Sequence, residues 1–472
     1  MKARKILIGG RWREAAESFA VKSPGNGEQI AEVYSANADE AAEAVSHAAA
    51  AAAEMKDLAR FRIAAGLRAI AEGVAARKEE FARTIAEEAA KPLKPARGEV
   101  ERAIATFSWA AGEAERFAGE MVPVDVQPNG RGKTAWTLRT PRGVIYGITP
   151  FNFPINLVAH KVAPALASGS AIIVKPSQRT PLTSLLLGEV FLESGLPPAA
   201  LQVVPMDVKY IDTLLKDDRI AMVSFTGSAA VGWGLKQKIG KKALALELGG
   251  NAPVIVDESA DIGNSIGKTV TGAFAYAGQV CISVQRVYVH EKLFDEWTAK
   301  FVEEAKNLKK GDPLDESTEL SVMIDEAAAK KAESWINEAV DNGARLLCGG
   351  AREGAMLDAT VLTGTHPEMR VVAEEIFAPV VTIEKFTGFE EAVAIANNSK
   401  YGLQAGVFTQ NLTNMQYAAE NLEYGGVIVN DVPTFRVDNM PYGGSKDSGF
   451  GREGVRYAME EMSEIRLIVV NS

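Results

Sequence analysis

The sequence predicts an α/β protein with parallel β-sheets, and the alternation of short apolar runs with helical segments supports that prediction. In the middle of the chain, GVIYGIT (143–149), SAIIVK (170–175) and IAMVSF (220–225) are predicted to be buried strands with helical segments between them. A second alternating block covers approximately residues 252–430. Strands that are joined through helices by short connections form parallel sheets. We therefore expect two α/β units, each with its own sheet.

The first third of the chain is predicted to be helical. Residues 38–55 are mostly alanine, the residue with the highest helix propensity, and residues 59–90 carry Leu, Ile and Phe at helical spacing. The alanine run could be a low-complexity segment instead, but its apolar spacing favours a packed helix.

Two further segments lie outside the helical region and the two alternating blocks. Residues 121–139 are polar and lie between the helical region and the first strand, and SEIRLIVVNS (463–472) is predicted to be a terminal strand. The two could pair with each other or with another subunit, because unpaired apolar strand edges favour association.

Length and composition limit the class of protein. A chain of 472 residues suggests about three domains, and 47% apolar with 24% charged residues is typical of a globular protein. No apolar run approaches the ~20 residues that cross a bilayer, and the basic N-terminus lacks the apolar segment of a signal peptide. We therefore expect a cytoplasmic protein without membrane contact. A net charge of −10 argues against a general nucleic-acid binder. The two cysteines and four scattered histidines predict neither a disulfide framework nor a metal site.

Polar or glycine-bearing residues follow three of the predicted strands, at 149–152 (TPFN), 175–177 (KPS) and 226–228 (TGS). Parallel sheets bind ligands at the carboxyl ends of their strands. In GSAAVG (227–232) the start of the helix could hold a phosphate through free N–H groups, or it could be an ordinary strand–helix turn. Lys175 could bind ribose hydroxyls or face water.

Cys281 lies in AYAGQVCISVQ (275–285), among small and apolar neighbours. A cysteine in such surroundings is usually a packed apolar side chain. Gly278 would instead allow a close approach of the backbone, which suits a tight pocket around a nucleophile. The segment by itself leaves both interpretations open.

Seven motifs favour the nucleophile when they are taken together. TPFNFP, KPS, FTGS, LELGGNAP, GQVC, EEIFAP and PYGGSKDSGFGREG occur in this order and resemble the aldehyde dehydrogenase superfamily. The resemblance covers nearly the whole chain and is strongest to the lactaldehyde, semialdehyde and non-phosphorylating glyceraldehyde-3-phosphate dehydrogenases. It implies an aldehyde dehydrogenase-like fold with a Rossmann-type cofactor domain, a catalytic α/β domain and a small bridging β-sheet. We place these at 1–121 with 142–248, at 249–448, and at 122–141 with 449–472.

The resemblance implies a covalent oxidation at Cys281. A thiolate adds to the aldehyde carbon, and the resulting thiohemiacetal expels hydride to a nicotinamide and leaves a thioester. Asn152 and the main-chain N–H of Cys281 would donate hydrogen bonds to the developing oxyanion. Glu247, in LELGG, would be the general base for hydrolysis, with a pKa raised by apolar neighbours. The alternative for Glu247 is a buried carboxylate satisfied by backbone N–H groups.

The same resemblance assigns a site for NADP or NAD. The residues expected to hold the cofactor are Thr149, Phe151, Lys175, Ser177, Gln178, Arg179, Gly227, Ser228, Gly232, Glu375 and Phe377. The choice of cofactor depends on Gln178, because an acidic residue there would repel a 2′-phosphate. Arg179 could pair with that phosphate or face water. We therefore expect NADP to be accepted.

The expected substrate tunnel is polar. Asn156 and His160 follow Asn152 at helical spacing and so share one face of the predicted helix. Arg436, in FRVDNMPYGG, is expected near the mouth of the tunnel. These residues favour a small, polar and anionic aldehyde as substrate.

Part of a phosphate site is also present. Arg102 matches an arginine that glyceraldehyde-3-phosphate-oxidising relatives use for phosphate, although it could instead pair with Glu99 on its own helix. Val280 and Phe153 stand where those relatives carry an arginine and a tyrosine. The chain therefore has only part of the phosphate site of those relatives.

Two other functions stay open at this point. An acylating dehydrogenase would transfer the acyl group to coenzyme A, although a glutamate at position 247 favours water. A catalytically silent scaffold would be expected to have lost Cys281, Glu247 or Asn152, and all three are present. The bridging sheet implies a homodimer or a homotetramer.

Overall fold

The computed structural model describes residues 3–471, in which three larger β-sheets are accompanied by helices. The helices are α1 Ala38–Asp57, α2 Arg60–Ala76, α3 Lys78–Ala89, α4 Leu93–Arg116, α5 Asn156–Ala167, α6 Leu182–Leu192, α7 Ile211–Lys216, α8 Ala229–Lys236, α9 Ile262–Phe274, α10 Glu291–Lys306, α11 Glu326–Asp341, α12 Arg370–Ala373, α13 Phe389–Asn397, α14 Leu412–Asn421 and α15 Val455–Glu461. The strands are β1 Ile6–Ile8, β2 Arg11–Arg13, β3 Glu17–Lys22, β4 Gln29–Ser35, β5 Met121–Val122, β6 Lys133–Pro141, β7 Val144–Ile148, β8 Ala171–Lys175, β9 Leu201–Val203, β10 Ile220–Thr226, β11 Ala243–Glu247, β12 Ala252–Val256, β13 Val284–His290, β14 Arg345–Cys348, β15 Arg352–Glu353, β16 Met356–Leu357, β17 Thr360–Thr363, β18 Val380–Phe386, β19 Tyr401–Gly402, β20 Gln404–Phe408, β21 Gly426–Val429, β22 Ser445–Lys446, β23 Gly449–Phe450 and β24 Ser463–Asn471.

The first sheet has the strand order β2-β1-β9-β8-β7-β10-β11-β23. Its centre, from β9 to β11, is parallel throughout. Strands β7 and β8 are buried along their whole length, as expected where helices cover both faces of a sheet. The predicted parallel sheet is confirmed.

The carboxyl ends of these strands meet at one edge of the sheet. Ile148 is in register with Lys175, and Thr226 is in register with Glu247. The polar residues that follow the strands are thereby brought together, as the sequence predicted.

The second sheet, β14-β17-β18-β13-β12-β20-β21, is formed entirely within the second alternating block. All its pairings are parallel except that of the edge strand β14 with β17. The prediction of a second α/β unit is confirmed.

The third sheet has the order β24-β6-β5. Strand β24 pairs antiparallel with β6 along its full length, from Ser463 opposite Pro141 to Asn471 opposite Lys133. The two segments therefore pair within one chain.

The domain boundaries stay a prediction. In the segment after residue 448, β23 pairs with the first sheet and α15 packs on α5.

The alanine-rich segment is a packed helix. Asn37 caps α1 in a capping box with Glu40, and a stripe that includes Ala41, Val45 and Ala48 is buried. The prediction that the first third is helical was incomplete, because it omitted the short strands β1 to β4. No helix within residues 3–471 is long and apolar enough to cross a membrane.

Candidate active site

A strained turn precedes the predicted nucleophile. Tyr276 and Ala277 have φ angles of 52° and 51°, and Gly278 follows with 67°. Residues other than glycine rarely adopt this left-handed conformation, so the surrounding packing has to hold it. A β-carbon on Gly278 would lie 2.1 Å from the carbonyl oxygen of Ala378. The close backbone approach predicted at Gly278 is therefore present.

Cys281 is partly exposed, and its sulfur lies 3.0 Å from the hydroxyl of Tyr442. Ile282 and Leu403 complete a small apolar cluster against it. This dry environment raises the pKa of the Cys281 thiol to about 11, although the hydrogen bond from Tyr442 works in the opposite direction. The thiol is therefore protonated at neutral pH in the free protein.

Asn152 is held through both its side chain and its backbone. It is buried between β7 and α5, and its Nδ2 donates to the carbonyl of Gln279 at 2.9 Å, two residues before Cys281. Its own carbonyl accepts a hydrogen bond of 2.7 Å from Nζ of Lys91. A primary amide carries two N–H groups, so a second one is left for a ligand. Within residues 3–471, no acceptor is bonded to the main-chain N–H of Cys281 either.

Lys91 also forms a buried ion pair with Glu99. Glu99 in turn accepts from the N–H groups of Ile155 and Asn156, at 3.0 and 3.2 Å, where α5 begins. The suggested pairing of Glu99 with Arg102 is therefore wrong, because Glu99 faces Lys91 and the start of α5.

Glu247 ends β11 and is 3% exposed. Neither of its carboxylate oxygens has a hydrogen-bond partner among the described residues. Burial, followed by the charge of Glu453, raises the pKa of the Glu247 carboxyl well above its ordinary value. The alternative of a carboxylate satisfied by backbone N–H groups does not hold.

Arg436 lies beside these residues with only 5% of its side chain exposed. Its guanidinium carbon is 3.7 Å from the centre of the Tyr442 ring, and its Nη2 is 3.4 Å from Oε2 of Glu453. Lys161 donates to the other oxygen of Glu453 at 3.0 Å. The Nε of Arg436 is buried without a partner in the part of the chain that is described. This guanidinium has an unused hydrogen-bond donor.

Asp438 links two more of the predicted substrate residues. It accepts from Arg102 Nη2 and from His160 Nε2, each at 2.7 Å. Burial, and then the charge of Arg436, lower the pKa of His160 to about 4. A neutral imidazole facing a carboxylate carries its proton on Nε2. Nη2 of Arg436 lies against the same ring, 3.4 Å from Nδ1 and 3.3 Å from Nε2. The structure therefore brings Arg102, His160 and Arg436 together.

Asn156 is the first residue of α5, and its Oδ1 is buried without a partner among residues 3–471. His160 follows one turn later on the same face. Asn152 precedes the helix rather than belonging to it.

The predicted nicotinamide end of the cofactor site brings together loop residues that lie next to strands of both large sheets. Oε1 of Glu375 accepts from the N–H of Gly250 at 3.0 Å, and burial raises the pKa of Glu375 to about 7. Phe151 meets Phe377 edge to face, with ring centres 6.0 Å apart. Side chains assigned to one ligand from distant motifs are thus neighbours.

The start of α8 fits a phosphate-binding helix terminus. Ser228 is exposed at the N-cap, and its side chain makes no capping hydrogen bond. A β-carbon on Gly232 would lie 2.4 Å from Cδ2 of Leu248, so this glycine lets α8 approach the strand that carries Glu247. Gly227 donates its N–H to the Glu247 carbonyl at 3.0 Å. A helix start of this kind offers its first N–H groups to a phosphate at the predicted pyrophosphate position.

The predicted ribose end lies one strand further along. Burial lowers the pKa of Lys175 to about 8, and Thr149 donates its N–H to the Lys175 carbonyl at 3.2 Å. The Ser177 hydroxyl accepts from the N–H of Arg179 at 3.1 Å. These contacts order the KPS turn.

Arg179 pairs with Asp325 of the second block at 2.7 Å, with 61% of its side chain exposed. It is therefore neither free in solution nor buried. Gln178 beside it is partly exposed, so both side chains are accessible to a ligand.

Five residues that shape the site were not singled out from the sequence, namely Lys91, Lys161, Asp438, Tyr442 and Glu453. Tyr442 and Glu453 belong to the motif PYGGSKDSGFGREG, and Lys161 follows His160 on α5. The motif could have indicated Tyr442 and Glu453, whereas no local sequence pattern distinguishes Lys161. Within the described range, no group of three or more His, Cys, Asp or Glu side chains is arranged to hold a metal ion.

Comparisons with known proteins agree with the geometry. A family model described as the aldehyde dehydrogenase family matches residues 12–468. The chain is 41% identical over 473 residues to 3-sulfolactaldehyde dehydrogenase from Priestia aryabhattai, covering 100% of this chain and 98% of that relative. It is 42% identical to aldehyde dehydrogenase 21 from Physcomitrella patens, solved in complex with the reaction product succinate, with a TM-score of 0.98 and coverage of 100% and 98%. It is 39% identical to glyceraldehyde-3-phosphate dehydrogenase GapN from Methanocaldococcus jannaschii, solved with NADP, with a TM-score of 0.93 and coverage of 96% and 99%.

The resemblance inferred from seven short motifs is therefore confirmed across the length of the chain. The predicted aldehyde dehydrogenase-like fold is confirmed with it. The chain belongs to the aldehyde dehydrogenase family.

Proposed function

We propose that the chain oxidises a small anionic aldehyde to its carboxylic acid, with NADP or NAD as hydride acceptor. The observation that supports an anionic substrate best is the buried guanidinium of Arg436, whose Nε has no partner among the described residues. A buried cationic group with an unused donor is costly unless a ligand satisfies it.

The charge balance around Arg436 favours the same substrate class. Three cationic side chains, Arg102, Lys161 and Arg436, contact two carboxylates, Asp438 and Glu453. His160 is neutral because its pKa is about 4. One positive charge is therefore in excess while Glu247 is protonated, and an anionic group on the substrate would balance it.

The names of similar proteins support this class. Succinate, 3-sulfolactaldehyde and glyceraldehyde 3-phosphate each carry an anionic group, as a carboxylate, a sulfonate or a phosphate. A carboxylate or sulfonate is the better candidate here, because Val280 replaces an arginine of the phosphate site.

In the proposed reaction, the Cys281 thiolate adds to the aldehyde carbon, and the carbonyl oxygen becomes an oxyanion. The second N–H of the Asn152 amide and the main-chain N–H of Cys281 donate to that oxyanion. When the oxyanion re-forms the carbonyl, hydride leaves the carbon and a thioester to Cys281 remains; a nicotinamide held by Glu375 and Phe377 would accept that hydride. Glu247 then takes a proton from water, whose oxygen attacks the thioester carbon and releases the acid and the Cys281 thiol. Hydrolysis is favoured over transfer to coenzyme A because a buried carboxyl with free oxygens is present at position 247.

The residues on the cofactor side fit a dinucleotide. Ser228 and Gly232 would hold the pyrophosphate at the start of α8, Lys175 the adenosine ribose, and Glu375 with Phe377 the nicotinamide riboside. Arg179 would exchange Asp325 for a 2′-phosphate, which favours NADP over NAD.

The experiment that tests this function is a comparison of kcat/KM for succinic semialdehyde, 3-sulfolactaldehyde, lactaldehyde, glyceraldehyde 3-phosphate and benzaldehyde, each with NADP and with NAD. We expect the anionic aldehydes to be oxidised best, NADP to be preferred, and the product to be the free acid. A preference for benzaldehyde would contradict the anion site. An acyl-coenzyme A product would contradict hydrolysis.

We also infer a homodimer or homotetramer in the cytoplasm. Strand β24 is an edge strand, and Ile465, Leu467 and Val469 on it are 63%, 55% and 49% exposed. A long edge with apolar side chains favours pairing with a second copy of the chain. Cys281 and Cys348 are both free thiols, which suits a reducing compartment.

A further inference from the structure

We propose that Tyr442 is a further catalytic residue, whose hydroxyl donates a hydrogen bond to the sulfur of Cys281 and stabilises its thiolate. The inference rests on the proposed function in one respect, namely that Cys281 acts as the nucleophile. Tyr442 leaves the covalent chemistry unchanged and alters the thiol equilibrium that precedes it.

The contact between the two side chains is direct and exclusive. The Tyr442 hydroxyl lies 3.0 Å from the Cys281 sulfur. Neither group has another hydrogen-bond partner in the described part of the chain. Tyr442 is 3% exposed, so its hydroxyl has little contact with solvent. A phenol without any other acceptor donates to a thiolate whenever one forms.

The direction of the hydrogen bond is fixed by chemistry. Burial, and then the neighbouring Cys281, raise the pKa of Tyr442 well above its ordinary value, so the phenol keeps its proton. A hydrogen bond donated to the charged form of a group lowers that group's pKa. Tyr442 therefore favours the thiolate in surroundings that otherwise oppose it.

Tyr442 is held in place through both its backbone and its ring. Its N–H donates to the carbonyl of Glu453 at 3.0 Å, and the N–H of Glu453 donates back at 2.7 Å. The guanidinium of Arg436 covers the ring at 3.7 Å. A cation over the ring draws electron density from the phenol and makes its O–H a better donor.

Other charged groups act on the thiol from further away. Glu375 and Glu247 oppose the thiolate when they are ionised, and Arg436 favours it. Among the described side chains, Tyr442 is the one that makes a hydrogen bond with the sulfur. Its removal should therefore change the thiol equilibrium without changing the charge of the site.

The experiment is the pH dependence of Cys281 alkylation by iodoacetamide in the cofactor-free protein, with the Tyr442→Phe variant compared with the unmodified chain. We expect the apparent thiol pKa to rise by about one unit in the variant, with alkylation about tenfold slower at pH 8. Peptide mass spectrometry assigns the alkylation to Cys281, and buried Cys348 serves as the internal reference.

The matched control is Tyr146→Phe, which removes a buried hydroxyl whose contact is the sulfur of Met206 at 4.0 Å. The control should leave the alkylation profile unchanged. Thermal unfolding verifies that the variants are folded. If Tyr442→Phe unfolds, Tyr442→Met removes the same donor with a flexible apolar side chain and is expected to give the same shift.

An alkylation profile that is unchanged in Tyr442→Phe overturns the inference, even if that variant loses aldehyde oxidation. Alkylation needs neither aldehyde nor cofactor, so its result does not depend on whether the chain oxidises aldehydes. If the unmodified chain oxidises no aldehyde, the proposed function fails, and the alkylation profiles still decide the role of Tyr442.

Discussion

At the scale of single residues, the predicted oxyanion donor is held at two points. Asn152 is tied to Gln279 by its amide and to Lys91 by its carbonyl, at 2.9 and 2.7 Å. Such preorganisation aims a donor at the position where charge develops and avoids reorganisation during the reaction.

The Asn152→Ala variant is predicted to lose ~10²–10³-fold in kcat, because one oxyanion donor is removed. Binding of NADP, followed by quenching of tryptophan fluorescence, should be retained as a control. A variant with normal kcat and a raised KM would mean that Asn152 binds the ground state instead.

The Glu247→Gln variant is predicted to release a burst of NADPH and then to stop, because hydride transfer precedes hydrolysis. In the unmodified chain, Glu247 must be deprotonated to accept a proton from water. Since the pKa of its carboxyl is raised, we expect kcat to fall on the acid side at a pH well above the ordinary pKa of glutamate. Rapid-mixing kinetics measure the burst, and steady-state rates measured across a range of pH locate the fall of kcat on the acid side. A burst that is absent from the variant would contradict this role.

The sequence motifs predicted which residues lie together in the site, but not every side chain that those residues contact. Cys281, Asn152 and Glu247 each belong to a recognisable motif. The Arg102–Asp438 pair spans 336 positions and depends on tertiary packing. The expected local partner, Glu99, is one turn away on the same helix but is occupied by Lys91.

At the scale of elements, the Lys91–Glu99 pair connects α3 and α4 to the start of α5. The pair is buried; Lys91 also satisfies the backbone carbonyl of Asn152, and Glu99 the N–H groups of Ile155 and Asn156. Removing one member of a buried pair leaves an unpaired charge in a dry environment.

The Lys91→Met variant is predicted to lower the free energy of unfolding by about 3–5 kcal/mol, because Glu99 is left without its cation. The double variant Lys91→Met/Glu99→Gln should recover part of that loss. Urea unfolding followed by fluorescence measures both. Losses that simply add in the double variant would contradict a coupled pair.

Elements were predictable where their pattern was long or repeated. The alternation of strands and helices identified both parallel sheets. Strands of three residues or fewer, such as β1, β2 and β23, carry no periodicity of their own. Their positions at the two ends of the first sheet, with β2 and β23 at the edges and β1 next to β2, follow from packing and not from local pattern.

At the scale of the whole molecule, the exposed edge strand β24 is the surface through which we expect subunits to associate. It pairs with β6 on one side, and its apolar side chains are exposed. The sequence predicted the internal pairing as one of two possibilities, but the number of subunits does not follow from a single chain.

The double variant Ile465→Lys/Leu467→Lys is predicted to shift the protein toward monomers, because charges on an edge strand oppose pairing. Light scattering coupled to gel filtration measures the mass. Leu412→Lys, at a 71% exposed apolar position on α14, is the matched control. An unchanged mass in the double variant would place the interface elsewhere.

We infer that the chain selects an anionic aldehyde through Arg436. This selectivity is measured by the ratio of kcat/KM for succinic semialdehyde to that for butanal, which has the same chain length without the carboxylate. We predict that Arg436→Ala lowers this ratio by about 10–100-fold, as expected for the loss of a charge-assisted hydrogen bond. An equal loss of kcat/KM for both aldehydes in Arg436→Ala, or a ratio near one in the unmodified chain, would contradict selection through Arg436.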